Sequence, residues 1–101
     1  MMNENGPDAP TLVGPVLTAC EDAAAVVRAI RSLNPEVEVR DRGSYLRVQA
    51  PRRCIVTRAA IERALGRTFQ LPGDLEVLMP AFKGRFRVSE EEASWSFEET
   101  S

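Results

Sequence analysis

Leu75-Glu76-Val77-Leu78-Met79-Pro80-Ala81-Phe82-Lys83-Gly84-Arg85-Phe86-Arg87-Val88 is the stretch on which the reading of the fold turns. Leu75 and Val77 alternate with Glu76, and Phe86 and Val88 alternate with Arg85 and Arg87, so the spacing predicts a strand at each end. Between them, Pro80 removes a backbone donor and Gly84 permits a positive φ. The connection is expected to break strand pairing and to present Phe82 outward or onto a partner. An apolar side chain on a stiff loop suits docking better than catalysis.

Working outward, the segment before it reads as a helix and its anchor. Thr57 is an N-cap for Arg58 to Leu65, with Ile61, Ala64 and Leu65 as the buried stripe and Gly66 at the left-handed C-cap position. Phe69 and Leu71 anchor the connection, and Pro72-Gly73-Asp74 turns the chain. Earlier still, Val37 and Val39 alternate with Glu36, Glu38 and Arg40 as a half-buried strand. Asp41-Arg42-Gly43-Ser44 turns it into Tyr45 to Ala50, and Pro51-Arg52-Arg53 leads to Cys54-Ile55-Val56. The three strands are expected to form a meander.

Glu21 to Leu33 is the first helix. Thr18 with Glu21 fits a capping box, and Val26, Val27, Ile30 and Leu33 form its apolar face. Asn34-Pro35 ends it, because the residue before proline avoids helical dihedrals. Before this helix, Gly14-Pro15 interrupts the apolar run Thr11 to Leu17 and predicts an edge strand or an extended lead-in. Residues 1–11 are polar and read as a flexible tail. At the other end, Glu90-Glu91-Glu92 makes a turn and Ser94 to Phe97 a last strand, with Trp95 and Phe97 facing in.

Counting the broken Leu75–Val88 stretch once, the order is β-α-β-β-β-α-β-β. That is a single small α+β domain with two helices packed on a predominantly antiparallel sheet.

Composition narrows the function. The chain has 101 residues, 44% of them hydrophobic, a formal net charge of −2 and no histidine. Without histidine the commonest general base, the commonest metal ligand and every Ser-His or Cys-His pair are missing. No Cys-x-x-Cys pattern signals zinc or a redox dithiol. Consecutive glutamates at 90–92 point in different directions and make a poor metal site. No catalytic, metal-binding or cofactor-binding residue can be named, and a non-enzyme without a cofactor is expected. No signal peptide or membrane span is visible, which predicts a cytoplasmic protein. In that setting Cys20 and Cys54 are expected to be buried free thiols rather than a disulfide.

Arginines at 40, 42, 47, 52, 53, 58, 63 and 67 make the central third basic. They fit a solvated face, a patch for an acidic protein groove, or a phosphate-tracking surface for nucleic acid. The strands lack the paired exposed aromatics that RNA-binding sheets use, since Tyr45 stands alone. A nucleic-acid-binding α/β module and a small ligand-binding regulatory domain are therefore the alternatives to a protein-docking one.

Several residues taken together resemble the effector (coupling or regulatory) proteins of bacterial soluble diiron multicomponent monooxygenases. They are Val13-Gly14-Pro15, Asp41-Arg42 with Tyr45 and Arg47, Thr57-Arg58, Leu65-Gly66-Arg67 with Phe69, and Phe82 with Gly84. The likeness runs from about Val13 to Phe97. It is closest to the toluene group and more distant for the phenol, alkene and methane groups. It implies an effector-type domain over residues 12–101, a monomer when free, that binds the alpha subunit of a diiron hydroxylase. There it would tune the active site and couple electron delivery to oxygen activation. The residues implied to meet the hydroxylase are Val13, Val16, Leu78, Met79, Pro80, Ala81, Phe82, Lys83, Gly84 and Arg85. Lys83 and Arg85 make this loop more basic than the family pattern.

Overall fold

The computed structural model describes residues 11–97. The elements are β1 (Leu12–Thr18), α1 (Glu21–Leu33), β2 (Glu38–Asp41), β3 (Tyr45–Pro51), β4 (Arg53–Thr57), α2 (Arg58–Leu65), α3 (Gly73–Leu78), β5 (Ala81–Lys83), β6 (Arg85–Val88) and β7 (Glu92–Ser96). The strands form two antiparallel sheets, of order β2-β3-β1-β5 and β4-β7-β6. The helices α1 and α2 pack on each other and against β4. Trp95, Phe69, Leu17, Ile30, Ile61 and Leu75 are the largest side chains of the core so enclosed.

The local signals place both long helices. In α2, Thr57 Oγ1 accepts from the Ala60 N–H at 3.1 Å, and Gly66 adopts φ 81° as the C-cap. The helix α1 has the expected bounds, but its N-cap is Cys20, without a side-chain capping bond. Thr18 is not at the cap position, because it still belongs to β1, paired with Tyr45, and the helix begins only at Glu21. At the other end Leu33 is 38% exposed rather than packed. Asn34 follows it and carries the junction: its side-chain amide donates to the Ile30 and Ile55 carbonyls, and its oxygen accepts from the Ile55 N–H.

Four expectations about the strands and the residues beside them are also corrected. First, Leu75–Val77 is helical, within α3. Three alternating residues do not separate period 2 from period 3.6; the recurrence of Leu75, Leu78 and Met79 at helical spacing decides it, and Val77 is left 82% exposed. The helices thus number three among the described residues, and the strand after the break is β5, made of the residues read as a loop tip.

Second, β1 is not an edge strand, for it lies between β3 and β5. The β1–β3 ladder skips Gly14 and Pro15 but keeps register, Val13 with Ala50 and Val16 with Arg47, so the proline falls in the gap.

Third, β4 does not extend a meander with β2 and β3 but pairs with β7. Arg52, with φ 69°, turns the chain into the second sheet. Its N–H donates to the Thr11 carbonyl and its carbonyl accepts from the Phe97 N–H, tying both ends of the described chain.

Fourth, Phe97 lies beyond the end of β7. It is 37% exposed, with the Arg52 guanidinium 5.6 Å from its ring centroid.

Both cysteines are free, but only Cys54 is buried; Cys20 is exposed. Burial pushes the Cys54 thiol from 9.0 up to about 12. A thiol reagent is therefore expected to modify one cysteine in the native protein and both in denaturant, which a chromogenic thiol titration reads directly. The raised folded-state value also fixes a sign. The contribution of Cys54 to stability is intact below pH 9 and is lost as pH rises from 9 through 12, because the unfolded thiol ionises first.

Candidate docking surface

The segment from α3 to β6 builds an exposed apolar ridge on buried anchors. Leu75 and Met79 point into the core, and Leu78 is half-buried against it. From there Pro80, Ala81, Phe82, Lys83, Gly84 and Arg85 are all exposed. The short β5 is held by pairing with β1, at Gly14 with Lys83, Pro15 with Phe82 and Val16 with Ala81. Gly84, at φ 104°, closes the turn into β6, where a Cβ would lie 2.7 Å from the Val13 side chain and 3.0 Å from the Ser96 carbonyl. Only glycine permits both that dihedral and that approach. The ridge is thereby clamped between β1 and β7 rather than hanging free.

Phe82 is 47% exposed, and its ring stands 5.3 Å from that of Phe86, which in turn stacks at 5.4 Å on the fully buried Trp95. One aromatic column thus runs from the surface into the core. The Trp95 indole N–H finds no acceptor among the described residues, so this side chain holds the column by packing alone. Shallow depressions flank β5. One, of about 420 Å³, is lined in part by Lys83, Gly84, Arg85 and Phe97. The other, of about 270 Å³, is lined in part by Gly14, Val16, Arg47 and Phe82.

Of the residues expected to meet a partner, the structure brings Pro80 to Arg85 together on one ridge, with Val16 half-exposed beside Ala81. Val13 and Met79 are interior, so in this conformation they support the ridge without presenting surface. The strongly exposed Val77 was not among the expected contacts. Its signal was available, since on a helical wheel it falls opposite the Leu75–Met79 face.

The chemistry of this surface is that of contact. Among the described residues no group of three or more His, Cys, Asp or Glu side chains is placed to hold a metal ion. Cys54, with its raised pKa and buried position, is a poor nucleophile. The central arginines do not make one continuous face. Arg40, Arg58 and Arg67 are paired with Glu38, Glu91 and Asp22, and Arg52 turns to Phe97. Arg47 and Arg53 lie in different sheets. That scatter gives no track for a phosphate backbone. No helix among the described residues is long and apolar enough to cross a membrane.

Both the chain and its fold are similar to known proteins. The chain is 47% identical over 88 residues to the effector subunit of the alkene monooxygenase system of Xanthobacter autotrophicus (strain ATCC BAA-1158 / Py2), covering 85% of this chain and 86% of that protein. Its fold superposes on a chain of a phenol hydroxylase–regulatory protein complex with a TM-score of 0.79, at 20% identity over 87% of this chain and all (100%) of that one. The soluble methane monooxygenase regulatory protein B gives a TM-score of 0.67 at 24% identity, covering 97% of this chain and 74% of that one. The MmoB/DmpM family pattern matches residues 11–96, nearly the whole of the described chain, and the protein belongs to that family.

Proposed function

We propose that this chain is the non-catalytic effector subunit of a cytoplasmic multicomponent monooxygenase. It binds the alpha subunit of a diiron hydroxylase and raises turnover and coupling in the oxidation of an alkene or aromatic hydrocarbon. The observation that carries the reading is the 47% identity, over most of both chains, to an alkene monooxygenase effector subunit. The apolar ridge at Pro80 to Phe82 supports it from the physical side. A protein without catalytic groups changes a rate by binding one conformation of an enzyme better than another. A difference of about 1–3 kcal/mol shifts that equilibrium roughly 5- to 150-fold. An exposed ring on a clamped strand loses little entropy on docking, which is what a hot spot requires.

The test is steady-state oxidation by a reconstituted hydroxylase with its electron-transfer partners, titrated with this protein. Turnover and product formed per electron should rise and saturate near one effector per active site. Phe82→Ala should shift the titration to about tenfold higher concentration while leaving the thermal midpoint close to that of the unaltered protein. An unchanged titration with the variant would remove Phe82 from the contact surface.

A further inference from the structure

The outer face of the β4-β7-β6 sheet carries an arrangement that shares only Arg85 with the ridge. In β7 the inward side chains are Ala93 and Trp95, so Ser94 and Ser96 point out. Residues directly paired across strands share a face. Ser96 therefore lies between Arg53 of β4 and Arg85 of β6, and Ser94 lies between Ile55 and Arg87. Short side chains on the central strand and long cationic ones at both edges make a trough with a hydroxyl floor and guanidinium walls.

One end of the trough is a depression of about 320 Å³, lined in part by Arg53, Arg87, Ser94 and Glu92. At the other end Ser96 and Arg85 line the depression of about 420 Å³ that also touches Lys83 and Gly84 of the ridge. The three arginines are exposed, so packing does not require them.

We propose that this trough is the second half of the docking surface and holds an acidic segment of the hydroxylase; the proposal rests on the effector reading above. Guanidinium groups take carboxylates by paired N–H···O bonds, and the serine hydroxyls can donate to the same oxygens. The trough is open along a strand of five residues, roughly 17 Å at the usual strand rise, which suits an extended acidic stretch better than a single small anion. Its one exposed ring, Phe97 at the ridge end, already faces the Arg52 guanidinium, and a single aromatic gives no row on which successive bases could stack, which sets nucleic acid aside. Glu92 places one negative charge at the far end and so sets the direction in which an acidic segment can lie. Because the trough continues into the ridge through Gly84, one rigid partner can engage both, the ridge supplying apolar contact and the trough steering and orientation.

The experiment is a binding titration of the full chain against the isolated hydroxylase of an alkene monooxygenase, repeated from low to high ionic strength. The double variant Arg53→Glu, Arg87→Glu should bind about tenfold or more weakly at low salt, with the gap closing as salt rises. Its thermal midpoint should match that of the unaltered protein, since both positions are exposed. Equal affinity and an equal salt slope for the two proteins would overturn the trough alone and leave the effector reading standing. Failure of the unaltered protein to bind would overturn both. A dimer that sediments in the unaltered protein and disperses in the variant would place a second copy in the trough, and that too would overturn it.

Discussion

Gly14→Ala is expected to destabilise the protein by about 3–5 kcal/mol, a large share of what a domain of this size has. Gly14 sits in β1, between β3 and β5, at φ 148°. A Cβ built there falls 2.2 Å from the Val48 carbonyl oxygen and 3.0 Å from its carbon. These are backbone atoms of the neighbouring strand, so no rotamer change relieves the clash. Relief requires β1 to move away from β3 where Val13, Leu17 and Val48 are fully buried. For a domain of this length the midpoint of thermal unfolding should fall by roughly 15–30 °C. Gly43→Ala is the control. Gly43 also has a positive φ, 89°, but nothing lies within 4 Å of its added Cβ. It should cost only about 1 kcal/mol. Urea unfolding of both variants separates the dihedral cost from the steric one, and near-equal losses would refute the close-approach argument.

Substitutions at Asn34 should have the next largest effect. Its amide donates at 2.7 Å to the Ile30 carbonyl and at 2.7 Å to the Ile55 carbonyl, and its oxygen accepts from the Ile55 N–H at 3.0 Å. One buried side chain thus ends α1 and closes the open edge of β4 by pairing with the strand as another strand would. Asn34→Ala keeps the backbone N–H of residue 34 on the Ile30 carbonyl but takes the side-chain partners from the Ile55 N–H and carbonyl in a site only 8% exposed, a loss of about 2–4 kcal/mol. Asn34→Asp keeps the shape but replaces the donor by an oxygen facing two carbonyls. Burial and those dipoles disfavour the charged form and raise the folded-state pKa of the new carboxyl. By linkage, the stability that the protonated form retains is present below the unfolded-state pKa and is lost as pH rises through the raised value. Relative to Asn34→Ala, the aspartate variant should be the more stable at acid pH and the less stable at neutral pH. Denaturant midpoints at the two pH values check this, and parallel behaviour of the two variants would contradict it.

The elements that could be read from the sequence are those whose signals are local. Thr57 and Gly66 bracket α2 because capping geometry involves residues a few positions apart. Asn34-Pro35 ends α1 for a reason contained in one peptide bond. The exposed run from Pro80 to Arg85 could likewise be picked out by its proline, aromatic residue and glycine in six positions. By contrast, Leu75-Glu76-Val77 satisfies strand and helix periods equally, and burial of Leu75 and Met79 in the same core resolves it.

The interior position of β1 and the partition of the strands into two sheets follow from which distant segments meet. Gly14-Pro15 reads as the mark of an edge, yet β3 and β5 flank it, because the ladder can skip a proline without losing register. The same holds for the surface. The residues of the ridge could be named one by one, but Val13 and Met79 are removed from it by burial, and Val77 is brought to the surface by the turn of α3. Arg53, Ser96 and Arg85 come from three separate strands and meet only through the pairing of β4, β7 and β6. The amino-acid sequence by itself determined the bounds of α1 and α2, the turns, the lack of histidine-based chemistry and the exposure of the run from Pro80 to Arg85, since each depends on near neighbours or on composition. Only the tertiary structure decided which side chains share a face, because strand register is settled by the packing of residues far apart in the chain.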